Sequence, residues 1–206
     1  MAVDVFLAMT AAEICGNHSL SANLGWMACH FSPYGTGLSN LPKQLPADSL
    51  LMVDDITPIR GHDPGRILEQ LTVCAERFRC RGILLDFQRP PNPELKAMAA
   101  TIVQALPCPV AVTESYAASL DCPVFLPPCP LHIPMEDYLK PWHSREIWLE
   151  AALCQETITV TTEGVVFTPV YSTDSPAGGF YHQKLRCRYH PALYYDRILF
   201  TLFDTP

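Results

Sequence analysis

Short apolar runs alternate with helix-spaced apolar positions from Ser49 onward. The run SLLMVDD, from Ser49 to Asp55, is almost continuously hydrophobic and ends in carboxylates, which is typical of a buried parallel strand. Asp63 and Pro64 then suit the N-cap and first position of a helix. Its predicted apolar face comprises Ile67, Leu68, Leu71, Cys74, Ala75 and Phe78. Gly82 ends this helical connection, and Ile83 to Phe87 is the next predicted strand.

The same alternation is repeated further along the chain. Asn92 and Pro93 start a second predicted helix, and prolines at 107 and 109 end it. Its apolar stripe comprises Leu95, Met98, Ala99, Ile102, Val103 and Leu106. Further strands are predicted at Val3 to Met9, Gly25 to Phe31, Val110 to Ser115 and Pro123 to Pro127. Strands alternating with helices predict βαβ units and a parallel sheet.

Helical periodicity weakens beyond Pro127, and strand-like segments take its place. Glu146 to Leu153 has strong apolar character. Thr157 to Thr162 and Val165 to Val170 form a predicted hairpin whose two-residue turn is Glu163 and Gly164. Lys184 to His190 and Ile198 to Phe203 are a second predicted strand pair.

These patterns predict an α/β fold, a reduced or partial (β/α) TIM-like barrel with few helices in its C-terminal half. All 206 residues are expected to form a single domain. A full barrel usually takes about 250 residues, with roughly 200 as the lower end. This chain of 206 residues lies at that lower end, so some helices are expected to be missing or very short. A right-handed open sheet is the alternative. No GxGxxG or GxxxxGK[ST] motif follows a strand, so nucleotide-binding versions of that fold have no support.

The charge balance narrows the possible partners. The net charge is −7 and the pI is about 5.4, so a nucleic acid or an anionic membrane would be repelled. The amino-terminal segment contains Asp4 and no basic residue before its apolar run, which makes it a poor signal peptide. No stretch has the roughly 18 uninterrupted apolar residues that span a bilayer. We therefore expect a cytoplasmic protein.

The cysteines and histidines do not predict a metal site. Nine cysteines are scattered without CxxC spacing, and the seven histidines form no HxxxH or HExxH pattern. Most of the cysteines are expected to be small hydrophobic residues in a reducing compartment. Neither a metal nor a cofactor is predicted.

The segment GILLDFQRP, from Gly82 to Pro90, carries the most specific chemistry. It resembles the fourth barrel strand of family-18 glycoside hydrolases, the chitinases and their relatives, which carries D-G-x-D-x-D-x-E followed by an aromatic residue and a proline. The matching positions are Gly82, Ile83, Asp86, Phe87 and Pro90, with Phe87 in place of the usual tryptophan. The resemblance covers about 45 residues well, from Ser49 to Pro93, and the rest of the chain in outline.

Two departures from the family pattern bear directly on its chemistry. Leu84 stands where the family has its first strand aspartate, and Gln88 stands where it has its catalytic acid. An amide has no proton acidic enough to protonate a glycosidic oxygen. Asp86 retains the residue type that orients the substrate's acetamido group in the family's substrate-assisted mechanism. The resemblance therefore implies a chitinase-like pseudoenzyme that binds a carbohydrate or related small ligand without cleaving it by the family route.

Strand-end residues supply the candidate site, since barrel enzymes bind ligands at the carboxyl ends of their strands. Tyr34 and Tyr116 are expected at the mouth as stacking surfaces for a sugar ring. The predicted ligand-binding residues are Asp55, Asp86, Gln88, Glu114, Tyr34 and Tyr116. Asp86 and Glu114 would be catalytic only if the protein is active.

Three functions stay open on the sequence alone. The first is the degenerate, carbohydrate-binding barrel. The second is an interaction or scaffold protein, in which an exposed apolar strand at Ile198 to Phe203 pairs with a second copy to form a homodimer. The third is an active glycosidase that uses Asp86 and Glu114 as an altered carboxylate pair.

Overall fold

The computed structural model describes residues 27–31, 38–39, 45, 47–55, 63–150, 155–170, 179–185 and 187–203. The predicted strand at Val3 to Met9 lies outside these residues. The chain divides into two compact units, where a single domain is expected from the sequence. One unit comprises residues 1–125 and 145–148, and the other comprises residues 126–144 and 149–206. Each unit is described by itself below.

Most residues of a seven-stranded sheet belong to the first unit. Its strands are β1 (Met27–Phe31), β2 (Leu38–Ser39), β3 (Leu50–Asp54), β4 (Gly82–Asp86), β5 (Val110–Thr113), β6 (Val124–Leu126) and β7 (Ile147–Leu149). Their order is β2-β1-β3-β4-β5-β6-β7. Strands β1, β3, β4, β5 and β6 run parallel, and β2 is antiparallel to β1. The described strands form an open sheet, which is consistent with a partial α/β barrel.

Two long helices connect the central strands, and both begin where the sequence predicts. Helix α1 (Pro64–Phe78) starts at Asp63, whose Oδ1 accepts hydrogen bonds from the backbone N–H groups of Gly65 and Arg66 at 3.0 and 3.3 Å. Helix α2 (Pro93–Ala105) starts at Asn92, whose side chain accepts from the N–H of Leu95 at 2.9 Å. These caps satisfy backbone donors that have no partner inside the helix.

The predicted apolar faces of α1 and α2 are largely buried. The buried residues of the two helices are Ile67, Leu71, Cys74, Ala75, Phe78, Leu95, Met98, Ala99 and Ile102. A second hydrophobic cluster comprises Leu50, Leu84, Ala111 and Phe125, with Met52 and Trp148 packed against it. Because side chains alternate along a strand, Asp54 and Asp86 lie on the same face as this second cluster.

Short helices replace the longer ones after β5. They are α3 (Glu114–Ala117), α4 (Met135–Leu139) and a 3-10 helix at Lys140–Trp142. The predicted strand from Val110 to Ser115 is therefore too long, since it ends at Thr113 and Glu114 begins a helical turn. Among the described residues, no helix has both the length and the apolar character needed to cross a bilayer.

A five-stranded antiparallel sheet forms the core of the second unit. It comprises β8 (Gln155–Thr161), β9 (Gly164–Val170), β10 (Phe180–His182), β11 (Cys187–Leu193) and β12 (Ile198–Phe203), in the order β10-β11-β12-β8-β9. The β8–β9 hairpin is confirmed with its turn shifted by one residue. Because Thr161 pairs with Gly164, the two turn residues are Thr162 and Glu163.

Strand β12 has a different place in the sheet from the one expected. The sequence suggests an exposed strand at Ile198 to Phe203 that pairs with a second copy. In the structure β12 lies between β11 and β8, and both of its edges are hydrogen bonded. The prediction of a free edge at β12 was wrong, since strand order depends on long-range pairing that the local pattern does not contain.

Candidate functional site

Two aspartates lie side by side where neighbouring parallel strands end. Asp54 is the last residue of β3 and Asp86 the last of β4, and the strand register pairs them directly. Asp54 is 3% exposed and Asp86 is 7% exposed. Paired residues on adjacent strands share a face of the sheet. The apolar side chains on this face of the sheet therefore end at the buried pair of Asp54 and Asp86.

Gln88 lies two residues after Asp86, just beyond the end of β4. Its side-chain Nε2 donates a hydrogen bond of 2.6 Å to Oδ1 of Asp86. The Gln88 side chain is exposed, whereas the carboxylate that it contacts is buried. The exposed amide therefore holds the buried carboxylate of Asp86 through a donated hydrogen bond.

Asp55 supports the segment that carries Gln88. Its Oδ1 accepts a hydrogen bond of 2.7 Å from the backbone N–H of Gln88. Its Oδ2 is buried without a hydrogen-bond partner, and the residue is 0% exposed. Asp55 is therefore not available for direct contact with a ligand in this conformation. It fixes the backbone at residue 88 instead.

Thr113 and Tyr116 hold the rest of the segment after β4. Thr113 Oγ1 donates to the carbonyl of Leu85 at 3.1 Å and accepts from the N–H of Phe87 at 3.0 Å. The Tyr116 hydroxyl lies 3.0 and 3.2 Å from the carbonyl oxygens of Arg89 and Pro90, to which it donates. Thr113 at the end of β5 and Tyr116 just after it therefore fix the backbone and the turn that follow Asp86.

Tyr116 does not provide the expected stacking surface. It is 1% exposed, and its ring packs edge-on against Phe87 with centroids 5.1 Å apart. Burial, with a further contribution from the nearby charge of Asp55, raises the pKa of the Tyr116 hydroxyl to about 12. Its role in this structure is to brace the loop rather than to contact a sugar ring.

The remaining predicted residues are placed as follows. Glu114 is half-buried and is the first residue of α3, directly after β5, and β5 is the strand next to β4. Tyr34 lies outside the described residues. The predicted ligand-binding set does not include Asp54. Counting strand positions could have found it, because Asp54 and Asp86 are both the fifth residue of five-residue strands.

The described residues contain no group of three histidine, cysteine, aspartate or glutamate side chains arranged to hold a metal ion. The cysteines that the structure describes are all free thiols, and they are Cys74, Cys80, Cys108, Cys122, Cys129 and Cys187. The described side chains at the carboxyl ends of β3 and β4 include the carboxylates of Asp54, Asp55 and Asp86 and the amide of Gln88.

Comparison with known proteins gives structural neighbours but no sequence family. No family model and no curated protein matches the sequence. The fold is similar to that of the spore cortex-lytic enzyme SleL from Bacillus cereus (TM-score 0.57, 12% identity) and from Bacillus megaterium QM B1551 (TM-score 0.54, 13% identity). Each comparison covers 97% of this chain and 64% of the SleL chain, so this chain spans less than two thirds of SleL.

A third neighbour is the ydhD protein of Bacillus subtilis, assigned as a sporulation-specific glycosylase. It has a TM-score of 0.54 and 10% identity, and the match covers 87% of this chain and 83% of ydhD. At these identities the three similarities show the fold alone. The chain therefore has a glycosidase-like fold.

Proposed function

We propose that this protein binds a carbohydrate at the carboxyl ends of β3 and β4 and does not cleave it by the family-18 mechanism. The observation that carries the proposal is the 2.6 Å hydrogen bond from the exposed amide of Gln88 to the buried carboxylate of Asp86. It joins the two side chains that stand where a chitinase-like strand would have its orienting aspartate and its acid.

The structural neighbours support the carbohydrate part of the proposal. All three are named for spore cortex lysis or for glycosylase activity, and all share the fold of this chain. Fold similarity does not by itself transfer function, so the argument depends on the residues of the site. The exposed amide of Gln88, held by the carboxylate of Asp86, offers an acceptor and a donor to sugar hydroxyl and acetamido groups.

Residue 88 is the reason that we expect no cleavage by the family mechanism. Breaking a glycosidic bond requires a proton for the leaving oxygen, and an amide side chain does not supply one. Asp86, held by Gln88, keeps the position from which a carboxylate can orient an acetamido group. Binding without turnover is therefore the function that this pair of residues supports best.

The test is calorimetric titration of the protein with N-acetylglucosamine oligomers, beside a panel of other oligosaccharides. We expect saturable binding of at least one oligomer. The Asp86→Asn variant should weaken this binding by about tenfold or more, which corresponds to roughly 1.4 kcal/mol, because it removes the charge from a charge-assisted hydrogen bond.

The matched control is Glu94→Gln, the same acid-to-amide change at an exposed position in the first turn of α2. It should leave the affinity unchanged. If no oligosaccharide binds, or if Asp86→Asn and Glu94→Gln bind equally to the wild-type protein, carbohydrate binding at Asp86 is wrong.

A second candidate function is association with a second copy through one face of the β8–β12 sheet. The register places an apolar row across four strands, comprising Val165, Val160, Ile198 and Leu193. Leu193 is 82% exposed, and Val165 and Ile198 are also exposed. Exposed apolar patches of this kind commonly mark interaction surfaces.

Light scattering on the purified chain tests this association. We expect a dimer that the Leu193→Asp variant converts to a monomer, since a charge in the row would be buried at the contact. Monomeric wild-type protein at all concentrations measured would contradict this second candidate.

A further inference from the structure

A histidine of the second unit is held by a buried carboxylate through two hydrogen bonds. Oε1 of Glu156 on β8 lies 2.7 Å from Nδ1 of His132, and Oε2 accepts from the backbone N–H of His132 at 3.0 Å. The side chain of Glu156 is 8% exposed, whereas that of His132 is 26% exposed. The carboxylate therefore fixes both the backbone and the ring of His132, while part of this side chain stays accessible.

The contact with Glu156 selects one tautomer of the His132 ring. A carboxylate only accepts hydrogen bonds, so Nδ1 carries the proton that is donated to Oε1. In the neutral ring Nε2 then has a free lone pair and acts as an acceptor. Among the residues that the structure describes, none forms a hydrogen bond with this Nε2. His182 has the opposite arrangement, because its Nδ1 accepts from the backbone N–H of Leu185 at 3.1 Å.

An aromatic ring lies against the fixed imidazole. Phe167 on β9 stacks on His132 with ring centroids 4.0 Å apart and an interplanar angle of 25°. Phe167 is nevertheless 46% exposed. Both oxygens of the Glu156 carboxylate are engaged by His132, so the polar group presented beside Phe167 is the imidazole. An oriented hydrogen-bond acceptor therefore adjoins an exposed apolar ring.

These features fit a neutral ligand that has hydroxyl donors next to an apolar face. A sugar ring has both, since its hydroxyl groups donate hydrogen bonds and its C–H face packs against aromatic side chains. We propose that His132, Glu156 and Phe167 form a further carbohydrate-contact site on the second unit, in which Nε2 of His132 accepts from a sugar hydroxyl. Glu156 is a positioning residue of this site. The choice of a carbohydrate rests on the proposed function, whereas the geometry of the three side chains does not.

The first test follows the ring nitrogens of the histidines by NMR in the full chain at pH 8, where imidazole is ordinarily neutral. The His132→Gln variant identifies the His132 signals by their loss. Without ligand, we expect the proton on Nδ1 in His132 and on Nε2 in His182. Addition of N-acetylglucosamine tetramer should shift the Nε2 signal of His132 to saturation. The ring of His143, an exposed residue that bonds the carbonyl of Lys140, should not respond.

The second test is calorimetric titration of variants with the same tetramer. Phe167→Ala should weaken binding by about tenfold, because the sugar loses its apolar contact. Tyr181→Ala removes another exposed aromatic side chain of the same sheet and should leave the affinity unchanged.

The positioning role of Glu156 is tested by the tautomer of His132. In Glu156→Gln we expect part of the His132 population to move its proton to Nε2, because an amide both donates and accepts hydrogen bonds. Glu163→Gln, the same change at an exposed position between β8 and β9, should leave the tautomer unchanged. If Glu156→Gln does not fold, Phe167→Ala and the wild-type spectra decide.

An Nε2 signal of His132 that stays unchanged at the highest tetramer concentration would overturn the proposal, as would equal affinities of Phe167→Ala and Tyr181→Ala. Binding that Asp86→Asn abolishes and Phe167→Ala leaves intact would overturn this inference alone. The reverse pattern would reject the proposed site at Asp86 and retain the site at His132.

Discussion

At the scale of single residues, the segment after β4 is held by groups that do not reach solvent. Asp55 fixes the backbone of Gln88, and Tyr116 fixes the turn at Arg89 and Pro90. The sequence predicted that these residues lie near Asp86, because all follow strands of one parallel sheet. It did not predict that Asp55 and Tyr116 are buried, since burial depends on how the loops after β3, β4 and β5 pack.

Tyr116 should make the protein sensitive to alkaline pH. Its pKa in the folded protein is about 12, above the ordinary value of 10.0. The neutral hydroxyl is therefore favoured by folding, and this stabilisation is present below pH 10 and is lost as the pH rises from about 10 to 12. At pH 7 the Tyr116→Phe variant should be about 1 kcal/mol less stable than the wild type, because it lacks the hydroxyl that donates to the carbonyl oxygens of Arg89 and Pro90.

Urea unfolding at pH 7 and at several values between 10 and 12 measures this effect. The stability difference between the wild type and Tyr116→Phe should shrink as the pH rises through this window. Tyr195→Phe, a change at a fully exposed tyrosine, should show no difference at any pH. A constant difference between the wild type and Tyr116→Phe across the window would refute the assignment.

Cys80 should be a poor nucleophile in the folded protein. Burial, together with the neighbouring thiols of Cys108 and Cys74, raises the pKa of Cys80 to about 12. Because the thiolate is the reactive form, alkylation at pH 8 should be far slower than in the unfolded chain. Mass spectrometry of the peptide containing Cys80 after timed alkylation, with and without urea, measures the ratio. Equal labelling rates would contradict the prediction.

At the scale of helices and strands, the sequence predicted those features that depend only on neighbouring residues. The starts of α1 and α2 follow from Asp63 and Asn92, because an N-cap acts on backbone donors within three residues of itself. The end of β5 was missed because whether Glu114 continues a strand or opens a helical turn depends on tertiary packing. The place of β12 was missed for a similar reason, since it requires pairing with both β11 and β8.

The Asp63 cap gives a prediction at this scale. Asp63→Ala removes the acceptor for two N–H groups of α1 and should cost about 1 kcal/mol of stability. Glu69→Ala, at an exposed position on the same helix, is the control and should change stability by about 0.5 kcal/mol or less. Chemical denaturation of both variants compares the two costs. Equal effects would show that Asp63 does not act as the cap.

At the scale of the whole sheet, Gly82 on β4 lies close to the side chain of Trp148 on β7. These strands are separated in the sheet by β5 and β6, yet a Cβ atom at Gly82 would lie 2.6 Å from Cη2 of Trp148 on β7. It would also lie 3.0 Å from the carbonyl oxygen of Pro109. The tryptophan ring thus covers this interior face, as expected of a curved, barrel-like sheet.

Gly82→Ala should therefore destabilise the protein by about 1 to 3 kcal/mol, the usual cost of overpacking a core. The partner change Trp148→Phe removes the nearest atom, so the double variant should lose less stability than the sum of the two single variants. Thermal or urea unfolding of the four proteins measures the coupling. Strict additivity would indicate that Gly82 and Trp148 are not in contact.

If the protein binds a carbohydrate as proposed, the amide at residue 88 is what separates binding from cleavage. Release of reducing ends from an N-acetylglucosamine tetramer can be followed for the wild type and for Gln88→Glu. We expect no release above background by the wild type and, with a proton donor at position 88, release at least about 100-fold faster by the variant. Cleavage by the wild type at the rate of the variant, or release by neither protein, would contradict this expectation.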